Sequence, residues 1–107
     1  MNYTKSINTH NNESVAASSS SVSEWIDVDG YNEVGIVFAN DTSTNSLVNV
    51  GWSNDGTSTH GREELLTTSS SKFRSASTKT KAKYIRLEPY NGDSASHSMT
   101  LWAYLKS

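Results

Sequence analysis

Val50-Gly51-Trp52-Ser53-Asn54-Asp55-Gly56 (VGWSNDG) runs a bulky strand straight into a polar turn. Val48, Val50 and Trp52 fall on one side at period two, and Asn-Asp-Gly supplies residues that tolerate positive φ, so the tripeptide reads as a chain reversal. The plan returns in Lys83-Tyr84-Ile85-Arg86-Leu87-Glu88-Pro89-Tyr90-Asn91-Gly92-Asp93. There Ile85 and Leu87 form the inward set, with Tyr84, Arg86, Glu88 and Tyr90 on the other face. Pro89 lacks a ladder donor, which predicts that the strand ends or lies at an edge.

Working outward, 33–39 places Val34, Ile36 and Phe38 on one face and the thinner Gly35, Val37 and Ala39 on the other, the pattern of a central strand. A polar loop over 40–46 then leads to 47–52, so the two strands are expected to form an antiparallel pair. Segments 62–67 and 71–78 are weaker. The second carries Phe73 in phase with Ser75 and Ser77, as an edge strand would. Near the C-terminus, Met99, Leu101, Ala103 and Leu105 share one face, with Thr100, Trp102, Tyr104 and Lys106 opposite.

These short, turn-bounded strands, with no window of helical period, predict an all-β chain: a single antiparallel β-sandwich, jelly-roll or immunoglobulin-like. The expected core is Val34, Ile36, Phe38, Val48, Val50, Trp52, Ile85, Leu87, Leu101 and Leu105.

Composition agrees. Only 34% of the 107 residues are hydrophobic, but 19% are charged and the net charge is -2, which argues against charge-driven disorder. Ser, Thr and Asn make up the difference, and they line solvent faces and turns without adding charge. A chain of this size buries about two thirds of its unfolded surface, enough for one core. Nine basic against eleven acidic residues disfavour nucleic acid as a partner. The absence of Cys excludes disulfides and thiolate metal sites. No run approaches the roughly 20 apolar residues of a membrane span, and 1–20 lacks a signal-peptide core, so synthesis in a cytoplasm is expected.

Residues that could carry chemistry are scattered. His10, His60 and His97 show neither HxH nor HExxH spacing and read as solvated loop histidines. No Gly-x-Ser-x-Gly elbow accompanies the many serines. Asp27 and Asp29 before Gly30 suggest a calcium loop, but a Gly sixth and a Glu twelfth are missing, so the segment reads as an Asp-Gly turn. No catalytic residue, metal ligand or cofactor site is expected.

Residues 1–22 hold Tyr3, Ile7, Val15 and Val22 as their sizeable apolar side chains and include Ser18-Ser19-Ser20-Ser21. They predict an extended N-terminal arm ahead of a β-sandwich domain over 23–107, with Tyr3, Ile7 and Val15 as assembly residues. An arm that cannot build its own core can add a strand to a neighbour or lie in its groove. The aromatics Tyr90, Trp102 and Tyr104, with Lys106, are the candidate surface platform for a subunit contact or a glycan.

The succession Trp25-Ile26-Asp27-Val28 with Gly30-Tyr31, Val34-Gly35-Ile36, Trp52-Ser53-Asn54-Asp55-Gly56 and Ala82-Lys83-Tyr84-Ile85-Arg86-Leu87 with Tyr90-Asn91 resembles a small β-sandwich module of tailed-bacteriophage virion proteins. The likeness spans about 24–105, and its motifs are mostly structural. It implies a non-enzymatic virion structural protein of the capsid-decoration or head-fibre type, made in the host cytoplasm. The partners it implies are other copies of the chain, a trimer by analogy with phage appendages, and other virion proteins. The alternative is a carbohydrate- or receptor-binding module of a tail fibre or a secreted enzyme, with a surface glycan as partner.

Overall fold

A computed structural model describes residues 3–43, 45–68 and 71–107. Among the described residues there are nine strands and no helix: β1 (Thr4–Val15), β2 (Ser19–Ser20), β3 (Ile26–Asp27), β4 (Glu33–Asn40), β5 (Ser46–Ser53), β6 (Gly61–Leu66), β7 (Phe73–Lys79), β8 (Tyr84–Asn91) and β9 (His97–Lys106). One sheet, sheet A, runs β1-β9-β4-β7; the other, sheet B, runs β2-β8-β5-β6, with β3 also on β8. All pairings are antiparallel.

The order identifies the topology. Taking β2 and β3 as two pieces of one interrupted strand, the pairs β5·β6, β4·β7, β2/β3·β8 and β1·β9 nest inside one another. A long hairpin is thus folded over itself into two sheets, which is a jelly roll. The expected pairing of 33–39 with 47–52 is corrected: β4 and β5 lie in different sheets. Each carries an apolar row, and crossing from one sheet to the other brings the two rows face to face across the core. A hairpin would leave them side by side.

All ten expected core residues are buried, joined by Val15, Val28, Leu66, Met99 and Ala103. Each large aliphatic side chain contributes about 1.5–3 kcal/mol by leaving water. The edge strand β7 turns Arg74 inward, stacked over the Phe38 ring at 5.1 Å and donating to Ser46 O at 3.0 Å and to the Thr67 carbonyl. An inward charge of this kind blunts an open sheet edge.

Two further expectations are corrected. Pro89 does not end β8, which continues to Asn91 between β5 and β2/β3. Leu87 and Pro89 both turn their carbonyls toward the chain at 21–23, accepting from Ser23 N at 2.9 Å and Ser21 N at 3.1 Å. The missing proline donor therefore falls on the side of the broken strand and costs β5 nothing.

The division into an arm over 1–22 and a domain over 23–107 does not follow the packing either. β1 pairs with β9 from Thr4↔Lys106 to Val15↔His97, shifting register on either side of His10, and Asn12 takes a positive φ of 49°. Val15 is buried and Ile7 packs against the core. Sparse apolar content suggested dependence on a neighbour, but a ladder uses backbone groups, which composition does not count. At the far end of β1, buried Asn91 donates to Val15 O at 2.9 Å and to Ala95 O at 2.8 Å, tying β8 to it.

Candidate functional site

The outward face of sheet A is the apolar surface of the molecule. Inward Met99, Leu101, Ala103 and Leu105 leave Thr100, Trp102, Tyr104 and Lys106 pointing out, and pairing sets Trp102 beside Val37, Tyr104 beside Gly35 and Lys106 beside Glu33. On the far side of β4, Ala39 neighbours Phe73, Val37 neighbours Ser75 and Gly35 neighbours Ser77. Val37, Phe73, Trp102 and Tyr104 expose 53%, 74%, 43% and 47% of their surfaces, far more than the core residues beneath them.

Side-chain size shapes this face into a trough. β4 forms a low floor of Gly35, Val37 and Ala39; Trp102 and Tyr104 rise on the β9 side, Phe73 on the β7 side. Two shallow depressions follow, of about 390 Å3 between Trp102, Thr100 and Phe73, and about 410 Å3 between Tyr104, Ser75 and Ser77. Val37 and Ser75 line both, so the two adjoin across that cross-strand pair.

The platform expected from sequence is therefore divided. Trp102, Tyr104 and Lys106 share one face, but Tyr90 belongs to β8 in sheet B, half-buried beside Gly92. Phe73 and Val37 take its place. The period-two pattern had already put Phe73 in phase with two serines; only the strand order shows that it stands across β4 from Trp102. Of the assembly residues, Val15 and Ile7 are committed to this chain's core. Tyr3 is exposed, its backbone bonded to Ser107.

The histidines are not uniformly solvated. His10 is buried, with Nε2 2.9 Å from Ser21 O and Nδ1 2.9 Å from Thr9 Oγ1, so its ring joins β1 to the chain before β3. His97 is clamped between carboxylates, Nδ1 at 2.8 Å from Asp41 Oδ1 and Nε2 at 2.6 Å from Asp93 Oδ2. Two such bonds need both ring N–H groups, hence the imidazolium. Asp93 and Asp41 raise the His97 pKa above its ordinary value against the opposing effect of burial. His60 is exposed in its turn, as expected.

Ser53-Asn54-Asp55-Gly56 is a self-satisfied turn. The Asp55 carboxylate accepts from Thr57 N and Ser58 N at 2.9 Å each and from Ser53 Oγ at 2.9 Å, and these bonds hold its pKa well below the usual carboxylate range. Gly56 sits at φ 74° with the Tyr84 ring against it. The segment reverses the chain: all three of these bonds fall on Asp55 Oδ1, while Oδ2 lies 3.8 Å from His60 Nε2. At the other Asp-Gly turn, Asp27 Oδ1 accepts from Asp29 N at 2.9 Å. Among the described residues, no group of three or more His, Asp or Glu is arranged to hold a metal.

The outward face of sheet B is built from charge. Glu88 is buried there, bonded to Arg62 Nε at 2.7 Å and Arg86 Nε at 3.0 Å, with Arg86 stacked over Trp25 at 4.6 Å. Every oxygen of that carboxylate is engaged. Beside the network lie two depressions, of about 220 Å3 between Asn49, Arg62 and Glu64 and about 320 Å3 between His60, Glu63 and Lys81.

No protein-family model matches the chain, and no curated protein matches it in sequence. Solved structures do share its fold. The SPBc2 prophage-derived protein YomS is similar over 100% of this chain and 96% of its own, at TM-score 0.66 and 14% identity. The PBSX exported protein XepA is similar at TM-score 0.68 and 11% identity over 94% of this chain. VP2 of an infectious bursal disease virus subviral particle is similar at TM-score 0.71 and 10% identity over 98% of this chain. This chain spans 36% of the XepA chain and 33% of the VP2 chain. At such identities the likeness shows the fold alone.

Proposed function

We propose that this chain is a non-enzymatic structural protein of a bacteriophage virion, a capsid-decoration or head-fibre-like protein at the particle surface. The observation that carries the reading is the agreement of a jelly roll over the whole chain with a prophage-derived protein of nearly the same extent and with a particle-forming viral protein. Fold alone does not assign a task, so the sites must support it too. What supports it is that His97 spends both ring nitrogens on carboxylates, that both Glu88 oxygens are held by arginines, and that the apolar trough on sheet A has no acid or base at its centre.

Assembly in this reading uses the free edge of β1. Among the described residues that twelve-residue strand is hydrogen-bonded in its sheet to β9 alone, so its other edge is open to a neighbouring strand. Tyr3, exposed at its start, adds an aromatic anchor. A homo-oligomer, trimeric by analogy with phage appendages, or attachment to a multimeric shell follows, with sheet A's outward face left uncovered.

Co-sedimentation of the purified protein with particles lacking it tests the reading. Saturable binding in a fixed ratio to the major shell protein is expected, and failure to bind any particle component would overturn it.

A further inference from the structure

We propose that the trough on the outward face of sheet A binds a neutral glycan chain, its sugar rings lying along β4 against Trp102 and Tyr104. The inference rests on the proposed function only in requiring that assembly leave this face uncovered.

The geometry favours a linear ligand. Trp102 and Tyr104 are two residues apart on β9, hence about 7 Å apart along it, and the β9 and β7 walls stand about 10 Å apart, twice the strand spacing. The floor is low because Gly35 has no side chain: a Cβ built there meets nothing closer than 3.9 Å.

The chemistry selects among occupants. Backbone groups of β4 are consumed by β7 and β9, so an extended peptide laid here would find no ladder to join. A second copy of the same concave face would enclose the two depressions as voids and bury the Ser75 and Ser77 hydroxyls against apolar side chains, at a cost for each. A sugar chain has what the trough lacks. Its C–H faces suit the rings of Trp102 and Tyr104, and its hydroxyls suit those of Ser75, Ser77 and Thr100. Charge complementarity points the same way: the only charged lining residue is Arg74, whose guanidinium turns inward to Ser46 and Thr67. The ligand is therefore uncharged.

The test is calorimetry and tryptophan fluorescence on the full chain with hexamers of glucose, mannose and N-acetylglucosamine, beside Trp102→Ala and Gly35→Val, with light scattering on each. Gly35→Val puts a Cβ where nothing lies closer than 3.9 Å and adds a strand-favouring residue to the floor, so a melting point near wild type is expected. Binding of at least one hexamer, weakened tenfold or more in both variants, is the expected result. The proposal is overturned if no hexamer binds at millimolar concentration, or if binding persists unchanged in both variants. It is equally overturned if light scattering shows an oligomer that Trp102→Ala dissolves, since the face would then belong to a second copy. None of these readouts involves particles, so their failure is separable from that of the structural role.

Discussion

His97 at the start of β9 and Asp93 in the preceding loop approach to 2.6 Å, Nε2 to Oδ2, while the same ring reaches Asp41 at 2.8 Å from its other nitrogen. Asp41 follows β4 in sheet A and Asp93 follows β8 in sheet B, so one protonated ring ties the two sheets at one end of the sandwich. Because the folded pKa is raised, its stabilisation is fully present below the unfolded value of about 6.5 and is lost as pH rises through the folded value. Melting points measured across that window should fall with rising pH, and His97→Gln should flatten the change. Stability that increases there, or a profile unaltered in the variant, would contradict the clamp.

Buried Glu88 gives an asymmetric expectation. Glu88→Gln leaves two arginines that reach solvent, Arg62 being 56% exposed at its side chain, and should cost about 1 kcal/mol. Replacing both Arg62 and Arg86 by Met strands a buried carboxylate and should cost at least about 3 kcal/mol. Denaturant titrations of the two variants check the order, and equal costs would contradict it.

At Gly56, φ is 74° and an added Cβ would lie 3.3 Å from the Tyr84 ring, so Gly56→Ala should destabilise by about 1 kcal/mol or more. A neutral result in thermal unfolding would show that the turn relaxes freely.

Deleting residues 1–15 should unfold or aggregate the protein, because it uncovers the β9 ladder and removes Val15 and His10 from their buried positions. A floppy arm would have been dispensable. Circular dichroism and light scattering on the truncated chain distinguish the two, and a stable monomer with native spectra would contradict the role of β1.

The rows Val34-Ile36-Phe38 and Val48-Val50-Trp52 were legible in sequence because period two puts one face in oil and the other in water, wherever the strand lies. Which sheet each row belonged to was not, since the same alternation serves a hairpin or a crossing. β1 was hidden for a different reason: its side chains are mostly exposed and its hold on β9 is through the backbone. His10 was misjudged with it. The trough was half visible, as Trp102 and Tyr104 stood out in phase, but Phe73, Val37 and the vacant Cβ of Gly35 join them only once β9, β4 and β7 lie side by side. Tyr90 dropped out because β8 belongs to the other sheet.

Mass spectrometry of purified particles, produced in the host that carries the gene and quantified against the major shell protein, tests the structural role most directly. The protein should be found in a fixed ratio of many copies per particle and should survive density-gradient purification. Its absence from purified particles, with the protein recovered only from the soluble host fraction, would contradict the account.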